Sequence, residues 1–490
     1  MRRLFIAGIA ALAAASGVRP LAAQVAEGNA HWEAGRIAEA RAAYERELVT
    51  NPASVRSLFR LATLASREGH LDSALVLIAR ARQAEPADPD VRLLEAQVLS
   101  WKGDLAAAEA RYDSVIADHP DRLDAAAGRA QVLAWDGRLD PAIAQYQRIL
   151  QRDSTNVEAR VGLAQAWYWK GRPSRAAPHV RRALELDPDH RVATALARDV
   201  SRARRSVVRL DLGWSSDSDD NTSWWEGAGL EVPIADGVRL HGFGRWQQSR
   251  DAVLEGDAFQ AEVGVGVTRP SWGVSTDLGL RSLRPEAPAA ARTEPGWRVG
   301  GYLSPVRQFT LSGWWLHTEF DETARLIASD IHYDMLNASL DIGLSRSAKL
   351  GLGGGHTWFS DDNRRYHAVV VVSQTVAREF TVGAFARQMG FDSVAPEYFS
   401  PGRFRMLEAR AGWSRVLPTW EVAVSGGLGG QQPFEDADWQ AEWHAEVNAA
   451  VRPIERLKLG AFGGITNSVE RSVTGAYRYR TAGLRVEIGL

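Results

Sequence analysis

Several side chains in the second half of this 490-residue chain have the chemistry for acid–base or ion-binding work. Arg209, Asp211, Arg239, His241, Arg245, Glu262, Glu408, Arg410, Glu442, His444, Glu446, Arg485 and Glu487 include the carboxylates and imidazoles that carry protons in catalysis. Their spacing points to a plainer role. Val208, Leu210, Leu212 and Trp214 alternate with Arg209, Asp211 and Gly213, and Ala441, Trp443, Ala445 and Val447 alternate with Glu442, His444 and Glu446. A period of two belongs to a strand with one face in apolar surroundings and the other in water. Balanced charges on the wet face solvate it and need no reaction. The sequence has no nucleophile elbow, zinc-binding HExxH or phosphate-cradling glycine loop. Asp217, Asp219, Asp220 and Asn221 gather oxygens of the kind calcium takes, but read as a solvated loop. Gly353, Gly354 and Gly355 read as a place of close strand packing or a kink. The expectation is a chain without catalytic residues, metal or cofactor.

The alternation starts near Val207 and continues to the end, where Ala482, Leu484, Val486, Ile488 and Leu490 alternate with Gly483, Arg485, Glu487 and Gly489. Its segments are about ten residues long, enough for a tilted strand to cross a bilayer. Short turns such as Pro233 to Gly237 and Arg452 to Glu455 alternate with long polar loops. The loops include Ser215 to Ser223, Gln247 to Gly256, Glu319 to Asp330 and Gly390 to Phe404. Trp214, Trp224, Trp297, Trp358, Trp413, Trp420 and Trp439 fall near segment ends, as interfacial girdles do. Counting segments predicts an antiparallel transmembrane β-barrel of about sixteen strands, with fourteen also acceptable, enclosing a water-filled lumen. It would span 206–490, with the charged residues named above as its lumen wall and the long loops facing outward.

The first half has a different period. Gly35, Gly69, Gly103, Gly137 and Gly171 are spaced 34 residues apart, as are Ala40, Ala74, Ala108, Ala142 and Ala176. Tyr44, Ile78, Tyr112, Tyr146 and Val180 fill a bulky position four residues after each alanine. Glycine allows a tight turn between two helices, alanine lets their backbones approach, and the bulky residue on the same face fills the gap. This resembles the tetratricopeptide repeat and predicts an α-solenoid of about five repeats with a capping helix over 24–205. Gln97, Gln131 and Gln165 keep the same phase, as do Trp101, Trp135 and Trp169. The resemblance places these residues along the concave groove. There they would either hold a sugar chain by ring stacking and amide hydrogen bonds or only seal adjacent repeats.

Bulk properties narrow the setting. Arg2 and Arg3, the apolar stretch Leu4 to Ala15 and the small residues before position 24 read as an export signal over 1–23. No later apolar run reaches the length of a helical membrane span. A formal net charge of −2 gives no general attraction to nucleic acid. Zero cysteines exclude disulfides, thiolate metal sites and a lipid-modified N-terminal cysteine.

Signal, repeats and barrel in that order resemble the outer-membrane exopolysaccharide secretins of the cellulose-export and poly-N-acetylglucosamine-export type. The repeat phrases Leu99 to Asp104 and Leu133 to Arg138 are similar to repeats in that family, and Tyr398, Phe399, Ser400 and Pro401 resemble a loop motif of the cellulose-export barrel. The resemblance implies an outer-membrane channel for a hydrophilic polysaccharide, inserted by the barrel-assembly machinery. Its periplasmic repeats would bind polymer, an inner-membrane synthase or periplasmic modifying enzymes. A non-transporting anchor that presents the repeats to envelope partners is the alternative. Leu490 stands where such barrels generally end in an aromatic residue, and the repeats are fewer than those exporters usually carry.

Overall fold

The structure is a computed structural model that describes residues 21–306, 308–471, 475 and 478–490. The expected signal falls on 1–20, outside the described residues, except for its last positions, which open the first helix.

Helices pair in sequence through the first unit: Leu21–Glu33 with Ile37–Thr50, Val55–Arg67 with Leu71–Ala84, and Pro89–Lys102 with Leu105–Asp118. Leu123–Trp135 then pairs with Leu139–Arg152, Val157–Trp169 with Pro173–Leu186, and Arg191–Ala203 follows. Each 34-spaced glycine ends its turn with positive φ, from +70° at Gly35 to +90° at Gly103, where a Cβ would be strained. Ala40, Ala74, Ala108, Ala142 and Ala176 are all sealed from solvent. The bulky residues pack beside them, with Tyr44, Tyr112 and Tyr146 at most 2 % exposed. All three rings lie over a glycine, Tyr44 over Gly28 and the other two over Gly128 and Gly162, themselves 34 residues apart. A Cβ at Gly128 would come 2.4 Å from Tyr112, and one at Gly162 would come 2.3 Å from Tyr146. Tyr112 and Tyr146 are therefore knobs set into the first helix of the next repeat, while Tyr44 packs on the helix before its own. Asp88 caps its helix by accepting from the Asp90 and Val91 amides at 2.8 and 3.1 Å.

The second unit is a closed ring of sixteen antiparallel strands, each paired with its sequence neighbours. These are β1 Val207–Asp217, β2 Thr222–Ala235, β3 Val238–Arg250, β4 Glu255–Arg269, β5 Trp272–Pro285, β6 Arg292–Val306, β7 Phe309–Glu319 and β8 His332–Gly343. They continue as β9 Ala348–Phe359, β10 Arg364–Ala377, β11 Phe380–Phe391, β12 Phe404–Val416, β13 Trp420–Gln432, β14 Gln440–Ile454, β15 Leu457–Thr466 and β16 Tyr479–Gly489. The seam joins β1 to β16, from Val207↔Gly489 to Asp217↔Tyr479. The ring leaves no open strand edge, the condition that a lipid-embedded sheet must meet.

Two expectations change. Strands run from 10 to 15 residues, longer than the alternation suggested, because the ladder continues into two of the loops. Ser215 pairs with Ser223 and Ser249 with Gly256, which leaves only 218–221 and 251–254 as connections. The long loops also do not simply project outward. The segment 320–331 carries the short helix Ala324–Ala328, whose Ile327 packs against Ala258 and Leu283 on the inner strand face. Phe320, Tyr398 and Val469, from three different loops, join Phe359, Phe391 and Phe404 in one buried cluster. Aromatic surface outweighs the loops' polar character, and they fold inward to bury it.

Candidate functional site

On β1, the exposed Leu210 and Leu212 alternate with Arg209 and Asp211, which share the other face with charged partners from neighbouring strands. Arg209 bonds Glu231 on β2 at 2.9 Å and reaches Glu487 on β16 at 3.6 Å, while Arg239 on β3 bonds Glu231 at 2.7 Å. Glu231 thus links two arginines on opposite sides of its strand. Asp211 lies beside Gly227, where a Cβ would come 2.6 Å from its carboxylate. Further along the same face His241 pairs with Asp277, and Glu262 accepts from Gln260. Arg245 lies 5.1 Å over the Trp225 ring and donates to Gln247 at 2.9 Å. Arg485 lies 5.6 Å over Phe462.

The opposite side of the ring is drier. Glu408 and Glu442 are only 4 % and 2 % exposed, where alternation alone suggested solvated carboxylates. Glu408 accepts from Arg410 Nε at 2.6 Å and also contacts His444 Nδ1. Arg410 lies 3.6 Å over Phe385. Glu446 follows on the same face of β14.

Two ion pairs tie the inturned loops to this wall: Asp321 with Arg281 on β5, and Glu470 with Arg387 on β11 at 2.9 Å. Strand parity could have found Glu231, Asp277, Arg281 and Arg387. Nothing in the sequence pattern marked Asp321 or Glu470, because a loop has no period to say where its charges point.

The four-residue motif in the 392–403 loop is a packing device. Tyr398 stacks on Phe359 at 5.1 Å, and its hydroxyl donates to Asp361 at 2.9 Å and accepts from Asn363 at 3.0 Å. Burial, then the bond to Asp361, hold that hydroxyl's pKa above its ordinary value. Ser400 Oγ accepts from the Ala395 amide at 2.6 Å, and the Pro401 carbonyl accepts from the Phe391 amide at 2.9 Å. Phe399 meets Phe404 and Phe434 edge-on at 6.2 and 5.7 Å. The acidic loop is likewise engaged locally, since Asp217 accepts from the Asp219 and Asn221 amides at 2.9 and 3.1 Å. At the glycine triplet, a Cβ on Gly355 would come 2.1 Å from Asn337 Oδ1, so the strands crowd there.

In the repeats the Gln–Trp positions are not equivalent. Trp101 is 49 % exposed, whereas Trp135 and Trp169 are partly covered and Trp169 packs on the cluster around Leu133 and Ile149. Gln131 accepts from Tyr146 at 3.3 Å, while Gln97 and Gln165 are half-buried. Arg175 lies 4.8 Å over Trp167, an aromatic outside the 34-residue phase.

The tetratricopeptide repeat family profile matches residues 31–98, 65–132 and 133–198, and a second profile of the same description matches 7–54. No curated protein matches the sequence. Among solved structures, a bacterial polysaccharide outer membrane secretin aligns with 59 % of this chain and 99 % of its own, at 13 % identity and a TM-score of 0.49. A thermophilic TPR protein from Thermus thermophilus aligns with 38 % of this chain and 98 % of its own, at 22 % identity and a TM-score of 0.33. The chain therefore carries tetratricopeptide repeats ahead of a closed antiparallel barrel of sixteen strands.

Proposed function

We propose that this protein is an outer-membrane channel that exports a hydrophilic polysaccharide. In this reading residues 1–23 direct export, 24–205 form a periplasmic repeat domain, and 206–490 form the barrel, inserted by the barrel-assembly machinery. The carrying observation is the inverted character of the ring, with exposed Leu210, Leu212, Val263 and Leu278 on one face and the paired charges of Arg209, Glu231, Arg239 and Glu487 on the other. An apolar outer face suits lipid, and a charge-balanced inner face offers a sugar many weak hydrogen bonds without one strong trap. The repeats would hold polymer along Gln97, Trp101, Gln131, Trp135, Gln165 and Trp169, or dock an inner-membrane synthase or a periplasmic modifying enzyme. The open Trp101 is the best placed of these for ring stacking.

A second reading, a non-transporting anchor for the repeats, is favoured by one feature. The loops 320–331 and 392–403 and the start of 467–478 fold onto the inner face, and the first and last are ion-paired there. Planar-bilayer recording separates the two. Export predicts low conductance in the intact protein and a clear rise when 320–331 and 392–403 are shortened, whereas a barrel that stays closed after both changes supports the anchor. Deleting the gene should abolish surface polysaccharide, and an unchanged polysaccharide coat would overturn the export reading.

A further inference from the structure

Glu408 on β12 meets Glu442 and His444 on β14, although β13 runs between them. Glycine at both crossing points makes this possible. Gly427 pairs with Arg410 and His444, and Gly429 pairs with Glu408 and Glu442. A Cβ at Gly427 would come 2.1 Å from Glu408 Oε1 and 2.7 Å from His444 Cε1, and one at Gly429 would come 1.9 Å from the Leu407 carbonyl. The two glycines leave a trough across β13 in which three side chains from non-adjacent strands converge. One ligand atom from each lies within 4.8 Å of the others, the one such group found among the described residues.

The cavity above this trough has a volume of about 220 Å³, and Ser468 lines it from the connection after β15. Ser468 is 1 % exposed, and its hydroxyl has no hydrogen-bond partner among the described residues. The same is true of Glu442 Oε2. The nearby arginines are otherwise engaged, Arg410 with the far oxygen of Glu408 and Arg387 with Glu470. Two carboxylates this close and this dry need a shared proton or a cation between them.

The donor set chooses between ions. Calcium and magnesium take oxygen almost exclusively, whereas an imidazole with two carboxylates suits a first-row divalent ion of the zinc class. We propose that Glu408, Glu442 and His444 bind such a cation on the inner wall of the barrel, with Ser468 placed to bond a water on the ion's open position. The ion joins β12 to β14 and, through that water, Ser468. This site does not depend on what the barrel transports, and its failure would leave the export reading untouched.

The test uses the detergent-solubilised full-length protein, stripped with chelator and titrated with Zn²⁺ by calorimetry, with bound metal assayed after dialysis. The expected result is about one Zn²⁺ per chain, with an upward shift in unfolding temperature. Glu442→Gln keeps the shape and can still hydrogen-bond Glu408, so a proton-sharing pair would survive it. Zn²⁺ affinity should fall at least about tenfold. His444→Gln, with both carboxylates kept, should lose affinity in the same way and serves if Glu442→Gln does not assemble. Co²⁺ should give visible d–d absorption bands in the wild type that are lost in His444→Gln. His190→Gln, at a histidine of the repeats paired with Glu158, should leave Zn²⁺ binding unchanged. Absence of Zn²⁺ binding by the wild type, or equal binding by Glu442→Gln and His444→Gln, overturns the proposal.

Discussion

In the repeat stack Ala40, Ala108 and Ala142 are completely buried, while in the barrel Val263 and Leu278 are 69 % and 65 % exposed and Glu408 and Glu442 are 4 % and 2 % exposed. The stack hides apolar surface and leaves charge outside. The ring does the reverse on most of its circumference. Both follow one rule, that each face meets a matching medium. The stack keeps its apolar side chains in its core, whereas the ring carries many of them on its outer face, the arrangement that an apolar surrounding medium favours. Exposure alone therefore cannot tell a stable surface from an aggregating one.

Substitutions can test this contrast. The largest expected effect is in the stack, where Tyr146→Ala empties the pocket over Gly162 and should cost about 3–5 kcal/mol, read as early loss of helical signal. A shift in gel mobility on boiling, expected of the closed barrel, should persist in that variant. Next comes Val263→Arg, opposite Leu278 on the outer face, expected to cost roughly 2–4 kcal/mol in refolding into lipid vesicles. Its counterpart in the stack is Val76→Arg at 63 % exposure, which should stay within about 0.5 kcal/mol. Equal costs for these two would remove the distinction between the surfaces. Gly162→Ala should fall between them at about 1–3 kcal/mol, because the Tyr146 ring must shift.

A pH response is also expected in the repeats, read in their helical signal. Burial holds the Tyr112 and Tyr146 hydroxyls above their ordinary value near 10. The folded form keeps protons that the unfolded chain releases, so this contribution is complete below pH 10 and declines as pH rises past it. The slope is at most about 1.4 kcal/mol per pH unit for each ring. Thermal melts of the repeat signal between pH 9 and about 11 check this, and Tyr112→Phe should flatten the response.

Repeat spacing made the stack legible almost residue by residue, because each unit packs only on its neighbours and its positions recur in register. Alternation did the same for the ring, since parity along a strand separates Leu210 and Leu212 from Arg209 and Asp211. Parity also named Glu408, Glu442 and His444. It did not show that they converge across β13, which depends on glycine at two positions of a strand that carries none of the three side chains. The inward fold of Phe320, Tyr398 and Val469 was also illegible, because loops have no period and each residue's partner lies on a different loop or strand.

Local order was thus decided by the sequence alone: helix pairs every 34 residues, then strands alternating to the end of the chain. Tertiary structure alone decided what depends on closure. Joining β1 to β16 turns one face of every strand inward and brings Arg209 beside Glu487, while the inward fold of the loops gathers aromatic residues from separate connections. The physical reason is range. Backbone period and turn chemistry act over a few residues, whereas the contacts of the inner wall join positions as far apart as Arg209 and Glu487.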